Sequence, residues 1–229
     1  MLSSVIDFHS HIVPGADHGC YSTEVFRKQW ETIQNSGICG VVATPHFYPH
    51  GDSVASFLDR RQAGLEKMKP FLTESSPKVF IGAEVLVCPN LQNIPDFEKL
   101  CIEGTNCILL EMPFAAWTSA DIAAVRAIAE SGFVPLMAHI DRYAVSDVLK
   151  LASLDVPMQV NAEALCKLLR HKNPFSFLKQ GCVFAIGSDL HGTDGKAYKN
   201  FLKAVQKPAV QIAGVSAKSK KLLKSAITL

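Results

Sequence analysis

The chain has 229 residues, of which 48% are hydrophobic, and its formal net charge is +2. A charge this small does not indicate nucleic acid or a membrane surface as the main partner, so we expect neither, and this length fits a single domain over residues 1–229. No apolar run approaches the length of about 20 residues that a membrane span requires, so we expect no membrane insertion.

The seven cysteines bear on the compartment. They form no C-x-x-C pair, their number is odd, and no N-terminal apolar segment resembles a signal peptide. This usage is typical of small core residues in a reducing environment. We therefore expect a cytoplasmic protein. No feature of the sequence specifies the oligomeric state.

Short apolar runs alternate with amphipathic segments along the chain. Ser22 is the predicted N-cap of the first helix, and Gly37 is its predicted end. The pattern predicts strands at residues 5–8, 40–43, 78–81, 107–110, 134–138, 158–160 and 183–186. It predicts helices at residues 22–36, 54–68, 119–131, 145–153 and 175–180, and a terminal helix with a solvated lysine face at residues 216–224.

About seven such units, with apolar strands that do not alternate, predict an α/β fold in which helices cover a parallel sheet. Candidate ligands follow five of the strands, and they are His46, Glu84, Glu111, His139 and Asp189. In a closed barrel of βα units the C-terminal ends of the strands converge at one mouth. This recurrence therefore favours a barrel over an open sheet.

Two further pairs of polar residues have alternate-residue spacing. They are His9 and His11 in the first strand, and Asp189 and His191 near the end of the chain. Residues two apart in a strand point to the same face, so each pair is directed at one place. Imidazole and carboxylate suit zinc, manganese and iron, and the candidates outnumber the ligands of one four-coordinate ion. The sequence therefore predicts a cluster of two or three divalent ions.

Six segments, at residues 7–15, 43–46, 82–85, 110–113, 138–143 and 187–191, carry a family resemblance. In this order they resemble the polymerase-and-histidinol-phosphatase (PHP) superfamily, whose fold is a distorted (β/α)7, TIM-like barrel around a trinuclear metal centre. The chain is most similar to the manganese-dependent protein-tyrosine phosphatases of bacterial capsule and exopolysaccharide operons. The resemblance implies a metal cluster at the C-terminal ends of the strands, with manganese favoured and iron or zinc as alternatives.

The resemblance also implies how the ligands are divided among the ions. One ion would be held by His9, His11, Glu84 and Asp189. A second would share the carboxylate of Glu84 and be completed by Glu111 and His139. The third would be held by His46 and His191, together with a residue of the first loop.

The residue of the first loop departs from the family pattern. The family has an aspartate immediately before the glycine, whereas this chain has His18 before Gly19, with Asp17 one position early. His18 therefore stands at the position where the family has the aspartate ligand of the third ion. Imidazole in place of carboxylate removes one negative charge and changes the metal preference of the third site.

Two basic residues are candidates for phosphate binding. Arg142 matches the family pattern, whereas Lys196 stands where the family has an arginine and offers a point charge in place of a bidentate fork. A structural ion pair between Arg142 and a neighbouring carboxylate is the alternative. His46 and Asp141 are candidates for a general acid.

Three aromatic residues, Phe47, Tyr48 and Trp117, fall in predicted mouth loops. They either stack on a phenyl ring of the substrate or pack as a lid. The two remaining histidines, His50 and His171, are predicted to face solvent.

These features predict a metal-dependent phosphatase that acts on phosphotyrosine in a protein, such as the tail of a bacterial tyrosine kinase that controls polysaccharide export. We expect direct attack by a metal-bridging hydroxide, without a phosphoenzyme. None of the cysteines is followed six residues later by an arginine, which excludes the C-x5-R chemistry of cysteine-dependent phosphatases. The alternatives are a small-molecule phosphatase, of the histidinol-phosphate or sugar-phosphate type, and a non-catalytic metal-binding regulator.

Overall fold

A computed structural model describes residues 2–167 and 173–224. The strands are β1 (Ile6–Ser10), β2 (Gly40–Ala43), β3 (His46–Phe47), β4 (Lys78–Ile81), β5 (Glu84–Leu86), β6 (Cys107–Glu111), β7 (Val134–Met137), β8 (Met158–Asn161) and β9 (Val183–Gly187). The helices are α1 (Thr23–Gln34), α2 (Val54–Met68), α3 (Ser119–Glu130), α4 (Val145–Ala152), α5 (Ala162–Cys166), α6 (Asn173–Gln180), α7 (Lys196–Val205), α8 (Pro208–Ile212) and α9 (Val215–Leu222).

The seven predicted strands and six predicted helices are all confirmed, with ends that differ by two residues or fewer. Helix α1 illustrates the cause. The Ser22 hydroxyl caps it by accepting a hydrogen bond from the backbone N–H of Val25 at 3.2 Å. Its buried face carries Phe26 and Trp30, and Gly37 follows its end with a φ of +75°, a left-handed conformation that suits glycine.

All strand pairs are parallel, and they form two hydrogen-bonded sheets. The first has the order β1-β2-β4, and the second has the order β3-β5-β6-β7-β8-β9. Only two residues separate β2 from β3 and β4 from β5. The backbone N–H of Gly82 donates to the carbonyl of Ala43 at 2.9 Å, and that of Glu84 donates to Pro45 at 3.1 Å. The bends at residues 44–45 and 82–83 are thus bonded to each other where the chain passes from the first sheet to the second.

A second link joins the first strand to the segment after the last strand. Ser10 and Leu190 form a parallel bridge, the N–H of His11 donates to Leu190 at 3.1 Å, and the N–H of Asp189 donates to His9 at 2.9 Å. These bonds hold the first and the last of the polar motifs, at residues 9–11 and 189–191, side by side.

The core has two parts. The larger cluster lies between strands and helices, and the smaller cluster takes buried side chains from six strands of both sheets, among them Phe8, Val42, Phe80, Leu109, Leu136 and Ala185. Strands β2, β6 and β8 are buried along their whole length, as expected for parallel strands covered on both faces.

The structure corrects the predicted loop position of Phe47 and agrees with the packing alternative for Trp117. Phe47 belongs to strand β3 and is buried, and its ring packs edge-on against Phe57, so it cannot contact a substrate. Trp117 is also buried and packs against Tyr143, which agrees with the packing alternative. Tyr48 is exposed, and so is His50, as predicted. His171 lies outside the described residues.

Within the described part of the chain, no helix combines the length and hydropathy needed to cross a membrane.

Candidate metal centre

Eight predicted ligands lie at or just beyond the C-terminal ends of the strands, or directly after the bends at residues 44–45 and 82–83. His9 lies in β1 and His11 follows it, His46 begins β3, Glu84 begins β5, Glu111 ends β6, His139 follows β7, and Asp189 and His191 follow β9. Because parallel strands present their C-terminal ends on one edge, these side chains come together although they span almost the whole sequence.

His9 and His11 contact the carboxylates of both Glu84 and Asp189, and these four residues correspond to the first predicted ion site. The Oε2 atom of Glu84 lies 3.1 Å from His9 Nε2 and 3.2 Å from His11 Nε2. The Oδ1 atom of Asp189 lies 3.7 Å from His9 Nε2 and 3.5 Å from His11 Nε2. The four predicted ligands of this ion are therefore neighbours.

The other carboxylate oxygen of Glu84 faces the second predicted site. Its Oε1 lies 2.8 Å from His139 Nε2, which lies 3.5 Å from Glu111 Oε1. His46 also approaches this group, with its Nδ1 3.1 Å from Glu84 Oε2 and 3.9 Å from Glu111 Oε2. Glu84 thus contacts both groups, as a bridging carboxylate would.

The third group consists of imidazoles. Ligand atoms of His11, His46 and His191 lie within 4.8 Å of one another. The exposed ring of His18 is stacked 5.1 Å from that of His46 and lies 5.0 Å from that of His191, measured between centroids. His18 is therefore at the solvent side of this group.

Asp17 has a different role from the one its shifted position suggests. Its Oδ2 accepts a hydrogen bond from His11 Nδ1 at 2.6 Å and another from the backbone N–H of His46 at 2.9 Å. Its Oδ1 accepts from the N–H of Gly19 at 2.9 Å. Asp17 thus fixes the ring of one candidate ligand and the backbone of another.

An amide network that the sequence analysis missed supports the opposite wall. Gln159 Oε1 accepts a hydrogen bond from the backbone N–H of His139 at 2.6 Å and lies 3.3 Å from His9 Nδ1. Gln159 Nε2 donates to Asn161 Oδ1 at 3.0 Å, and Asn161 Nδ2 donates to Asp189 Oδ2 at 2.8 Å. The alternate-residue spacing of two amides at the end of β8 was the available signal.

Gln29 of α1 is another supporting amide that the sequence analysis missed. Its buried Nε2 donates to the carbonyls of His11 and Gly19 at 3.2 Å and of Gly192 at 3.0 Å. A Cβ on Gly19 would lie 2.2 Å from the Cβ of His11, so only glycine allows this approach. One amide thus ties the first loop to the segment after the last strand.

Backbone strain coincides with two candidate ligands. His139 has a φ of +30° and Asp189 a φ of +52°, in the left-handed region that residues with a Cβ adopt rarely. The surrounding hydrogen bonds hold them there, namely those of Gln159 to the backbone of His139 and of Asn161 to the side chain of Asp189. Strain of this kind is typical of functional sites.

Burial and mutual attraction shift the pKa values in the centre. Burial lowers the pKa of His46 to about 3 and that of His191 to about 4, so both rings are neutral at pH 7. Burial opposes protonation of His139, but hydrogen bonds with Glu111 and Glu84 outweigh it and raise its pKa to about 9. Against burial, the neighbouring histidines hold the pKa of Glu84 well below its ordinary value.

The donor set fits divalent ions. Glu84 is only 1% exposed, and a carboxylate this deeply buried requires cationic partners. The buried Nδ1 of His46 has no hydrogen-bond partner among the described residues, although it faces two carboxylates. A divalent ion would satisfy both groups, since neutral imidazole and carboxylate are its usual ligands.

The predicted phosphate-binding residues occupy different positions. Arg142 follows His139 by three residues, is 41% exposed, and forms an ion pair with Asp189. Lys196 is the first residue of α7 and is exposed, and its backbone N–H donates to Asp194 at 2.9 Å. Arg142 thus lies at the edge of the metal centre and makes the carboxylate pairing that was the alternative interpretation.

Comparison with known structures agrees with this fold. One of the crystal structures of YwqE from Bacillus subtilis and CpsB from Streptococcus pneumoniae, described as "unique metal-dependent tyrosine phosphatases", is 19% identical to this chain, with a TM-score of 0.72. The alignment covers 96% of this chain and 95% of that one.

Two more distant structures share the fold. The inactive dihydroorotase-like domain of a Chaetomium thermophilum CAD-like protein is 12% identical with a TM-score of 0.55, over 97% of this chain and 80% of that one. A probable 2-pyrone-4,6-dicarboxylic acid hydrolase from Acinetobacter baumannii is 13% identical with a TM-score of 0.53, over 96% of this chain and 99% of that one.

The sequence model of one family, described as "Capsular polysaccharide synthesis, CpsB/CapC", matches residues 5–213. This match includes all the candidate ligands, Arg142 and Lys196. The chain therefore belongs to the CpsB/CapC family of capsular polysaccharide synthesis.

Proposed function

We propose that this chain is a metal-dependent phosphomonoesterase that hydrolyses phosphotyrosine in a protein of capsular polysaccharide synthesis, such as the tail of a tyrosine kinase. The observation that carries the proposal is the convergence of buried imidazoles and carboxylates around Glu84. Membership of the CpsB/CapC family and the similarity to structures described as metal-dependent tyrosine phosphatases support it. Seven free cysteines fit a reducing, cytoplasmic setting.

The fold proposed with this function is a distorted seven-stranded barrel. Strands β2 and β3, and likewise β4 and β5, count as single bent strands, because each pair is separated by only two residues. The bridge between Ser10 and Leu190 joins the first unit to the last. The smaller core cluster, with side chains from six strands, then fills the interior.

The metal proposal is a cluster of two or three ions, with manganese first and iron or zinc as alternatives. His9, His11, Glu84 and Asp189 would hold one ion, and Glu84, Glu111 and His139 a second. His46 and His191, with His18 at the solvent side, would hold a third. When bound, such ions supply Lewis acidity and a water of lowered pKa.

The protein's own groups prepare this site for a phosphate. Gln159 and Asp17 orient the rings of His9 and His11 so that their Nε2 atoms face Glu84. The pKa of about 3 leaves His46 without a proton at pH 7, which favours a ligand over a general acid. A phenol, with a solution pKa of about 10, needs less protonation on leaving than an alkyl alcohol does.

Arg142 is the proposed partner of the phosphate oxygens. Its guanidinium group can offer two parallel N–H donors to an anion, and its partly exposed position at the edge of the centre leaves room for a substrate. Lys196, exposed at the start of α7, would add a second positive charge. Both residues would reduce the repulsion between the dianionic substrate and the buried carboxylates.

The test is phosphate release from a phosphotyrosine peptide by metal-stripped protein, titrated separately with manganese, iron and zinc. An alkyl phosphomonoester is assayed beside the peptide. We expect metal-dependent turnover of the peptide and much slower turnover of the alkyl ester. Preference for the alkyl ester would favour a small-molecule phosphatase, and metal binding without turnover of either substrate would favour a regulator.

A further inference from the structure

One large apolar side chain beside the metal centre is exposed. Phe114, in the segment between β6 and α3, is 71% exposed, whereas Met112 and Trp117 of the same segment are buried. Its ring is parallel to that of His139, with an interplanar angle of 6° and a centroid distance of 6.5 Å. An exposed phenyl ring so close to a candidate metal ligand requires an explanation, since it contributes little to the core.

Phe114 borders a cavity of about 310 Å³ that adjoins the metal centre. Arg142 and Asn161 also line it, and both of them contact Asp189. Buried Ala164 gives it a small apolar wall. Asp141, Glu163 and Lys167 complete the lining, with Asp141 accepting a hydrogen bond from the backbone N–H of Asn161 at 2.8 Å and Glu163 paired with Lys167. A phosphate held beside Asp189 would therefore have its organic group next to Phe114.

The ring of Phe114 lies beside half-buried Tyr143, which packs in turn on buried Trp117. Tyr143 lies 6.2 Å from it, between centroids, and the Tyr143 hydroxyl is fixed by the backbone N–H of Met112 at 3.0 Å. Trp117 packs on the ring of Tyr143, with 5.0 Å between centroids, and its Nε1 donates a hydrogen bond to the carbonyl of Pro113 at 3.2 Å. The segment that carries Phe114 is thus anchored on both sides, which prepares the exposed ring for a partner.

We propose that this cavity is the subsite for the phenyl ring of phosphotyrosine, and that Phe114 selects aryl over alkyl phosphates by ring contact. The proposal rests on the proposed function and names the feature that gives it specificity. Paired aromatic rings prefer offset-stacked or edge-to-face arrangements, and an alkyl chain offers no ring face. Arg142 would then contact the phosphate while Phe114 contacts the ring.

Tyr48 is the competing aromatic residue. It is 42% exposed and stacks on His46 at 5.2 Å with an interplanar angle of 17°. It is not among the described residues that line the cavity, and His46 already covers one of its faces. We therefore assign the aryl subsite to Phe114, and the experiment includes Tyr48 as the direct rival.

The experiment measures the binding of two inert dianions, benzylphosphonate and ethylphosphonate, to the metal-loaded full chain by titration calorimetry. Their carbon–phosphorus bonds resist hydrolysis, so binding is read without turnover. The variants are Phe114→Ala, Phe114→Leu and Tyr48→Ala. Ile212→Ala serves as the control, because Ile212 is 87% exposed in α8, outside the candidate site.

We expect Phe114→Ala to weaken benzylphosphonate about tenfold and to change ethylphosphonate by less than about twofold. Phe114→Leu should give an intermediate loss, and Ile212→Ala no change. An equal loss for both phosphonates, or a selective loss in Tyr48→Ala instead, would overturn the assignment.

Failure of the subsite is distinguishable from failure of the proposed function. Equal affinity of the unmodified protein for both phosphonates would overturn the aryl subsite and leave the phosphatase proposal in place. Binding of neither phosphonate to the metal-loaded protein would contradict the phosphate site itself, and with it the subsite.

Discussion

For His9 and His11, the hydrogen bond at Nδ1 determines which ring nitrogen is free for a metal. The backbone N–H of His139 donates to Gln159 Oε1, so this atom is an oxygen, and His9 Nδ1 beside it must carry the proton. The Asp17 carboxylate imposes the same choice on His11. Both Nε2 atoms are therefore directed at Glu84, which is the arrangement that oriented metal ligands require.

Replacement of Gln159 tests this orientation. Gln159→Leu should weaken metal binding about 10- to 100-fold, because the ring of His9 loses the acceptor that fixes it. Gln159→Glu retains the acceptor oxygen and should keep most of the affinity. Competition with a chelating dye measures both, with Gln211→Leu on the exposed face of α8 as the control. Unchanged affinity in Gln159→Leu would refute the orienting role.

Metal binding should release protons. The pKa of His139 is raised to about 9 and that of His11 is raised as well, so both imidazoles are protonated at pH 7 in the metal-free protein. A metal must displace these protons, and its apparent affinity should therefore rise with pH up to about pH 9. Calorimetry in two buffers of different ionisation enthalpy measures the release. Identical heats in both buffers at pH 7 would contradict this prediction.

The sequence was informative about ligands and uninformative about their supports. Histidines and carboxylates at strand ends are recognisable because few other roles use that residue type at that place. Gln29 and Gln159 carry a weaker signal, since an amide is not a typical ligand of zinc, manganese or iron, and these two act through hydrogen-bond partners up to 163 residues away. The position of Asp17 beside His11 likewise depends on the path of the first loop.

The elements show how the loops of the centre are held. Strands and helices were predictable from periodicity because their apolar faces are continuous, whereas β3 and β5 are only two and three residues long. Those two short strands carry His46 and Glu84, and they arise from a bend that forms only when the neighbouring strands pair. Local patterns cannot predict such a bend, because its hydrogen bonds are long-range.

A glycine in α2 determines how closely this helix approaches the first loop. A Cβ on Gly64 would lie 2.5 Å from Val13 Cγ1 and 2.8 Å from the carbonyl oxygen of Pro14. Gly64→Ala should therefore lower the free energy of unfolding by about 1–3 kcal/mol, despite the better helix propensity of alanine. Gly51→Ala, where nothing lies within 4 Å, is the matched control. Denaturant unfolding measures both, and equal stability of the two variants would refute this packing argument.

At the scale of the molecule, the metal centre joins segments from both ends of the chain. Folding brings His9 of β1 beside Asp189, and the excess of buried carboxylates and imidazoles is costly without a cation. The metal ions should therefore contribute to stability as well as to chemistry.

Thermal unfolding tests this contribution. A ligand that binds only the native state at a hundred times its Kd adds about 2.7 kcal/mol, which for a chain of this size raises Tm by about 5–10 °C. Scanning with manganese and with a chelator measures the difference. Equal Tm values under the two conditions would show that the folded chain holds no ion.

Glu84 is the proposed bridge of a metal centre that hydrolyses phosphotyrosine, and Glu84→Gln allows the most direct measurement of this role. This change keeps the shape of the side chain and removes its charge. Metal content and phosphate release from a phosphotyrosine peptide are determined on the same preparation, beside the unmodified protein. We predict that the variant loses bound metal and peptide turnover together. Full turnover in the variant would contradict the account.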